Sequence, residues 1–265
     1  MSAIDLHARP SANFAAKLRL TEGLLRRAVA DFAPITQASS LGAEDVVITH
    51  LINSLALDVP VFVLDTGMLH EETLQLLERT KASSRAPVTV YRPVNESVIH
   101  FVGREGKDAM YRSVELRKAC CHIRKVEPLE RALAGKRAWI TGLRREQSNT
   151  RAEVPMVDTS EETRARETGG PAGRVKFNPL ANWTWGDVWN YIKLHRVDYN
   201  PLHDAFYPSI GCAPCTRAIS LGEDFRAGRW WWEDQSAKEC GLHVKASDMS
   251  TTSALRQAQH DQETA

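Results

Sequence analysis

The sequence has almost no net charge and no uninterrupted apolar run. Its 34 lysine and arginine residues against 33 aspartate and glutamate residues give a formal charge of +1 at pH 7, so any anion-binding site must be local. The most apolar region, 46–64, is interrupted by His50, Asn53, Asp58 and Pro60, which argues against a membrane span. We therefore expect neither a nucleic acid nor a membrane as partner.

The N-terminus also lacks the basic-then-apolar layout of a signal peptide. This predicts a cytoplasmic protein, and in a reducing cytosol cysteine pairs bind metal or do redox work more often than they form disulfides. A chain of 265 residues, 43% of them hydrophobic, can build a large core. We expect a single α/β catalytic domain over 1–235 and a flexible tail over 236–265.

Short β-branched runs alternate with helical segments, which predicts βαβ units and a mostly parallel sheet flanked by helices. The predicted strands are Ile35–Ser40, Val59–Leu64, Val88–Tyr91 and Arg137–Thr141. Further predictions are a helix over about 113–124, a charged, glycine-rich loop over 161–173, and a helix from Thr184 to about His195. Ligands bind beyond the carboxyl ends of such strands, so we expect the site where those ends meet.

The stretch 39–45 after the first strand suits a phosphate or sulfate, because a turn before a helix presents free backbone N–H groups. It lacks both the Gly-Lys-Ser/Thr of P-loops and the second glycine of Ser-Gly-Gly-x-Asp-Ser loops. Glu44 and Asp45 would repel a polyphosphate, so a smaller ligand end fits better. An ordinary helix cap explains the turn equally well. The ligand candidates at the first two strand ends are Ser39, Ser40, Gly42, Asp65, Thr66 and Gly67.

Arginines are concentrated at two places. Arg144 and Arg151 follow the fourth strand, where guanidinium groups suit contacts with oxyanions, although a solvated loop is an equal alternative. Arg226 and Arg229 precede a tryptophan triplet and either stack on it or face an anion.

Four of the five cysteines form two pairs, Cys120-Cys121 and Cys212-Ala-Pro-Cys215. Cys-x-x-Cys brings two thiolates to one metal centre. Adjacent helical side chains point about 100° apart, which favours a [4Fe–4S] cluster over zinc and leaves both open. Lys125, one turn after Cys121, would offset the negative charge of four thiolates.

The fifth cysteine, Cys240, lies in a polar stretch three residues before His243. This context suits a mobile, exposed nucleophile whose pKa His243 or a nearby arginine would lower. The alternative is an incidental tail cysteine, and the residues alone do not favour the nucleophile over it.

Taken together, these stretches resemble the assimilatory adenylyl-sulfate reductases, within the adenylyl-sulfate and phosphoadenylyl-sulfate reductase group. The resemblance runs in order from Ser39 to His243. It includes Ser-Ser-Leu-Gly-Ala-Glu-Asp, Val-Leu-Asp-Thr-Gly, Cys-Cys-His-Ile-Arg-Lys-Val-Glu-Pro-Leu, Gly-Leu-Arg-Arg-Glu-Gln-Ser, Gly-Cys-Ala-Pro-Cys-Thr and Glu-Cys-Gly-Leu-His.

The resemblance implies an adenine-nucleotide α-hydrolase-like (Rossmann-like) fold with a mobile C-terminal tail. It implies a [4Fe–4S] cluster on Cys120, Cys121, Cys212 and Cys215. It also implies reduction of adenylyl sulfate to sulfite and AMP, in sulfate assimilation and cysteine biosynthesis, with thioredoxin or a glutaredoxin-like protein as electron donor.

In the mechanism that the resemblance implies, Cys240 attacks the sulfate sulfur and displaces AMP, and thioredoxin then releases sulfite from the S-sulfocysteine. His243 is expected either to assist Cys240 or to orient the tail. The residues expected to offset the sulfonyl charge are Lys125, Arg144, Arg151, Arg226 and Arg229. The loop before Arg151 is one residue shorter than is usual in the family, which puts its register in doubt.

Rival functions remain. A phosphoadenylyl-sulfate reductase would use the same nucleophile but generally lacks the cluster cysteines, so the presence of all four favours adenylyl sulfate. A cluster-bearing enzyme that accepts both substrates is a further alternative. An iron–sulfur tRNA sulfur-transfer enzyme should show Ser-Gly-Gly-x-Asp-Ser and a basic surface, and this sequence has neither. A non-enzymatic zinc module would leave Cys240 unexplained. A homo-oligomer is left open.

Overall fold

A computed structural model of the protein describes residues 1–168, 173–220 and 222–233. Six strands form one sheet in the order β3-β2-β1-β4-β6-β5. They are β1 Ile35–Ser39, β2 Val61–Leu64, β3 Val88–Tyr91, β4 Ala138–Ile140, β5 Val157–Asp158 and β6 Val175–Phe177. All neighbours pair in parallel except β5 with β6. The mostly parallel α/β sheet is confirmed, and each predicted strand lies within two residues of an observed one.

Helices flank the sheet. They are α1 Ala3–His7, α2 Phe14–Phe32, α3 Ala43–Ser54, α4 Glu71–Ser83, α5 Asn95–Glu105, α6 Val114–Cys121, α7 Glu127–Leu133, α8 Ser160–Thr168 and α9 Trp185–His195. No helix in the described ranges combines the length and the apolar character that crossing a membrane requires.

The central helix α3 packs into the main core, with nine of its twelve residues buried. The β-branched residues of β1 and β2 are buried with it, which explains why these strands read as apolar runs. Thr184 caps α9 by accepting a hydrogen bond from the Asp187 backbone N–H, as its position predicted. The core therefore holds β1, β2 and β4 rigidly and fixes the positions of their carboxyl ends.

The predicted loop over 161–173 is wrong for its first half, where α8 forms. Glu161 and Glu162 lie in the first turn of this helix, where the helix dipole favours negative charge. The glycines that suggested a loop, Gly169 and Gly170, come only after the helix ends. The predicted tail over 236–265 lies outside the described residues.

Candidate active site

The carboxyl ends of β1, β2 and β4 border one cavity of about 220 Å³. The structure thus brings together the three strand ends that the sequence singled out. Eight of the predicted ligand residues line this ligand cavity: Ser39, Ser40, Gly42, Thr66, Lys125, Arg151, Arg226 and Arg229. Asp65, Gly67 and Arg144 do not line it.

The turn between β1 and α3 uses its own side chains to satisfy its backbone. Leu41 has φ of 61°, a conformation that is costly for a bulky residue and is typical of functional turns. The Ser40 N–H and hydroxyl donate to Asp45 Oδ2 at 2.7 and 2.6 Å, and the Leu41 N–H donates to Ser39 Oγ at 3.2 Å. The expectation that this turn presents free N–H groups therefore fails for these amides.

Asp45 is buried, and burial raises its pKa to about 6 against the hydrogen bonds from Ser40. Because the folded pKa lies above the ordinary value of 3.8, the folded protein binds the proton more tightly. Stability therefore falls as pH rises from about 4 to about 6, and the full cost, on the order of 3 kcal/mol, persists at higher pH.

We expect Asp45→Asn to stabilise the protein at pH 8 by about 1–3 kcal/mol and to have little effect at pH 4, because the amide can accept from Ser40 without carrying charge. Melting temperatures across this pH range measure the difference. Asp31→Asn, at an exposed position, is the control. A gain from Asp45→Asn that is the same at both pH values would contradict the buried-charge explanation.

Arg144 corrects an expectation. Its side chain is 1% exposed, and its Nε donates to Glu44 Oε1 at 2.8 Å. Its Nη1 pairs with Glu146 at 3.0 Å, and its guanidinium lies 5.2 Å from the centre of the Trp185 ring. Arg144 therefore compensates Glu44, which lines the ligand cavity, and does not itself face a ligand there. Glu44 in turn is an ion-pair partner rather than a free repulsive charge.

Gln147 places Arg151 on the cavity wall. Its side-chain NH₂ donates to Glu44 Oε1 at 2.9 Å, and its Oε1 accepts from Arg151 Nη1 at 2.7 Å. Arg151 is 8% exposed and lines the ligand cavity. The shorter loop before Arg151 thus still brings this residue to the site.

The Asp65-Thr66-Gly67 turn connects the ligand cavity to the cysteines. Asp65 accepts from the Gly67 N–H at 3.0 Å and from Arg92 Nε at 2.9 Å, and Gly67 takes φ of 70°. Thr66 Oγ1 lies 3.2 Å from Cys212 Sγ. Asp65 and Gly67 therefore shape the turn, and Thr66 contacts both the cavity and a thiol.

The four paired cysteines are buried and belong to one cluster of packed side chains. None of them forms a disulfide. A second, smaller cavity lies among them, lined by Met68, Met110, Arg117, Cys120, Cys121, Arg124, Lys125, Cys212 and Cys215. The structure thus gathers the four predicted metal ligands around this thiol cavity, although Cys121 and Cys212 are 91 positions apart in the sequence.

Three cationic side chains line the thiol cavity with the cysteines, and of these only Lys125 was predicted as a site residue. Arg117 and Arg124 lie three residues before and four residues after Cys120, and that helical spacing is the signal that could have found them. Arg124 Nη1 donates to the Thr66 carbonyl at 2.7 Å. Positive charge at this place suits a centre that four thiolates make negative.

The helix of the first cysteine pair is interrupted. After α6 ends at Cys121, residues His122–Val126 form a π-helical turn, and α7 follows with Pro128 near its start. Such turns are rare and concentrate at functional sites. The π-helical turn changes which residues share a helix face. Lys125 therefore does not lie one regular α-helical turn after Cys121, as the sequence predicted.

Burial raises the pKa of Cys120, against the opposing effect of Arg124. Burial, with Cys212 as neighbour, raises the pKa of Cys215 to about 11. Without a metal these two thiols therefore stay protonated at neutral pH, and a bound metal would deprotonate them outright.

The four buried thiols, none of them in a disulfide, are the donor set that the predicted four-thiolate metal centre would need. In the described ranges, no group of three or more His, Cys, Asp or Glu side chains is arranged to hold a metal ion. The [4Fe–4S] cluster stays a prediction.

Lys125 and Cys212 line both cavities, so the ligand cavity and the thiol cavity adjoin at these two side chains. Beside Cys212, Gly211 lies so close to the Arg229 guanidinium that a Cβ there would overlap it. Any group in the thiol cavity would thus be an immediate neighbour of a bound anion.

His203 is a cavity residue that no sequence signal indicated. Its Nδ1 lies 2.8 Å from the Tyr207 carbonyl, which requires Nδ1 to be the donor. Burial lowers its pKa to about 4, so it is neutral at physiological pH. Cys240 and His243 lie outside the described residues and stay predictions.

The sheet order, the cavity beyond its strand ends and the adjoining thiols define an α/β protein of the adenine-nucleotide α-hydrolase-like class. In keeping with this, the chain belongs to the phosphoadenosine phosphosulfate reductase domain family, whose model matches residues 34–218.

Among curated proteins, the chain is similar to the adenosine 5'-phosphosulfate reductase of Allochromatium vinosum, with 51% identity over 83% of this chain and 82% of that protein. Among solved structures, it is similar to phosphoadenylyl-sulfate reductase from Candida auris, with a TM-score of 0.62 and 27% identity over 78% of this chain and 94% of that one. FMN adenylyltransferase from Candida glabrata, at a TM-score of 0.54 and 12% identity over 91% of this chain and 82% of that one, shares the fold alone.

Proposed function

We propose that this protein reduces adenylyl sulfate to sulfite and AMP, with thioredoxin or a related dithiol protein as electron donor. The relatives named adenosine 5'-phosphosulfate reductase support this substrate. The alternative substrate, phosphoadenylyl sulfate, comes from the name of the more distant structural neighbour.

The observation that carries the proposal is the composition of the ligand-cavity wall. Lys125, Arg151, Arg226 and Arg229 all line it, in a chain whose net charge is only +1. Cations concentrated in a partly enclosed site bind anions far more strongly than the same charges in water. This composition supports a ligand that carries both a phosphate and a sulfate group, at the strand ends where adenine-nucleotide folds bind their ligands.

The proposed reaction has two steps, and both begin with a thiolate. The Cys240 thiolate attacks the sulfur, the S–O bond to the phosphate breaks, and AMP leaves with the electron pair as a stable anion. A thioredoxin thiolate then attacks Cys240 Sγ, which releases sulfite and forms a mixed disulfide. The second thioredoxin thiol resolves that disulfide, so the donor dithiol loses two electrons and Cys240 is restored.

This chain's own cations act on the sulfonyl oxygens. Lys125, Arg226 and Arg229 line the cavity beside Cys212, where they would offset the negative charge that develops during attack on sulfur. Arg151, held by Gln147, orients the phosphate. Cys120, Cys121, Cys212 and Cys215 would hold a [4Fe–4S] cluster. When bound, that cluster adds a fixed, compact charge beside the ligand cavity and organises its wall.

The test is sulfite release with reduced thioredoxin, comparing adenylyl sulfate with phosphoadenylyl sulfate as substrate. We expect kcat/KM for adenylyl sulfate to be at least about tenfold higher than kcat/KM for phosphoadenylyl sulfate. This is equivalent to roughly 1.4 kcal/mol of transition-state discrimination. Without thioredoxin, one equivalent of AMP per chain should appear and then stop. Preference for the 3'-phosphorylated substrate would favour the alternative, and sulfite from neither would refute the proposed function.

A further inference from the structure

The last described residues are fixed by a buried ion pair on the helix of the first cysteine pair. Arg117 Nε and Nη2 donate to the two carboxylate oxygens of Glu233 at 3.0 and 2.7 Å. The side chains are 0% and 4% exposed. Burying two charges carries a large desolvation cost, so a buried pair is weak evidence for a stabilising role and suggests that the geometry itself matters.

Trp230 connects this pair to the ligand cavity. The Arg117 guanidinium carbon lies 4.6 Å from the centre of the Trp230 ring, and the Arg229 guanidinium carbon lies at the same distance from that ring. Trp230 is 1% exposed, and its backbone N–H donates to the Cys215 carbonyl at 3.2 Å. One buried indole thus contacts a cation beside the thiol cavity and a cation on the ligand-cavity wall.

The positive charges around the Trp230 ring explain the role of the Glu233 carboxylate. Three guanidinium groups lie beside this buried ring, since Arg226 is also 5.9 Å from its centre, and like charges repel each other. The Glu233 carboxylate compensates the charge of Arg117 and so reduces the repulsion on Arg229. The Arg229 guanidinium approaches Gly211 so closely that a Cβ there would overlap it, and its Nη1 donates to the Ile210 carbonyl at 3.3 Å. Its position on the cavity wall therefore depends on Trp230 and, through Trp230, on the ion pair.

We propose that Arg117 and Glu233 form a positioning pair for Arg229, acting through Trp230, and so set how tightly the ligand cavity binds the phosphate of a nucleotide. The inference rests on the proposed function, since it takes an adenine nucleotide as ligand. Arg117 and Glu233 do not touch the ligand. Their effect is confined to the anionic part of it, which distinguishes positioning from general stability.

The test measures binding of AMP and of adenosine, which lacks the phosphate, to the full-length purified protein by calorimetry. In the double variant Arg117→Met/Glu233→Met, apolar side chains of similar length replace both charges, an exchange that buried pairs often tolerate. We expect AMP affinity to fall about tenfold, within the usual range of coupling between sites, and adenosine affinity to change less than about twofold. Trp230→Phe, which keeps an aromatic face, should retain most of the AMP affinity.

The Glu233→Gln variant distinguishes positioning of Arg229 from a long-range electrostatic effect of Arg117 on AMP binding. If Arg117 acts only through its field, removing the carboxylate adds positive potential and tightens AMP binding. If the pair positions Arg229, AMP binding weakens, and this is the outcome we expect. The exposed pair Arg79 and Asp198, 46% and 56% exposed, supplies the matched control, and replacing both by Met should leave both affinities unchanged.

Each outcome is decisive. Equal losses for AMP and adenosine, unchanged AMP binding, or tighter AMP binding in Glu233→Gln would overturn the positioning role. Failure of the unmodified protein to bind AMP would refute the proposed function instead. Melting temperatures identify a variant that is merely unfolded. Such a variant is replaced by Arg117→Lys, which keeps the charge but loses the paired hydrogen bonds.

Discussion

Cys240→Ser is expected to abolish sulfite formation, with a loss on the order of 10³-fold or more, as for other enzymes deprived of their nucleophile. A thiolate is available at neutral pH, whereas a serine hydroxyl is a weak nucleophile without an adjacent base. The variant should fail at the first step, so AMP release in a single turnover should disappear together with sulfite. Rapid-quench measurement of AMP in the absence of thioredoxin tests that step alone.

The same variant should keep its iron content and its affinity for AMP, because Cys240 is not one of the four predicted metal ligands. His243→Asn is the companion variant. If His243 lowers the pKa of Cys240, its loss should reduce the rate less than Cys240→Ser does and shift the pH–rate profile to higher pH. Turnover by Cys240→Ser would remove Cys240 from the mechanism, whatever the effect at His243.

The location of the site was predictable because parallel strands expose their carboxyl ends at one edge. β1, β2 and β4 read directly as β-branched runs, and the small or polar residues after them mark the ligand cavity. The approach of the two cysteine pairs was also predictable, since Cys212-Ala-Pro-Cys215 has the spacing of a metal-ligand pair, and the metal itself stays a prediction. These signals are local, so a single sequence contains them.

The partners of the charged residues were not predictable, because they depend on pairs distant in sequence. Arg144 and Glu44 are 100 positions apart, and nothing in either local pattern indicates that they pair. Read alone, Arg144 looks like a ligand contact and Glu44 like a repulsive charge. In the folded protein both side chains are buried, and they pair because an unpaired buried charge at either position would be costly. Arg117 and Glu233, 116 positions apart, were missed for the same reason.

The predicted helix content is wrong for the charged stretch 161–173, where its glycines favour a loop and its first residues favour a helix. The glycines at 169 and 170 suggested a loop for the whole charged stretch, but helix propensity and the acidic first turn decide the structure of its first half. The π-helical turn after Cys121 is a different case. No local pattern in the sequence marks it, and a regular helix is the default that sequence periodicity predicts.

Cys212→Ser is expected to have the second large effect, on the thiol cavity itself. The unmodified protein, purified without oxygen, should be brown and contain about four irons per chain, the content of one [4Fe–4S] cluster. A serine hydroxyl is a poor iron ligand, so iron and visible absorption should fall to a small fraction of these values. Iron analysis and absorption spectra of both proteins measure the change.

Cys212 also lines the ligand cavity and lies 3.2 Å from Thr66 Oγ1, so its loss should weaken AMP binding as well as iron binding. Thr66→Val, which keeps the shape but removes the hydroxyl, separates the two effects. It should retain iron, because it leaves all four thiols in place, while it alters the environment of Cys212 at the boundary of the cavities.

Stoichiometric zinc in place of iron would refute the cluster, and full iron in Cys212→Ser would remove Cys212 from its ligands. Loss of iron from Cys212→Ser, set against its retention in Cys240→Ser, would assign the paired thiols to the metal centre and leave the lone thiol for the chemistry.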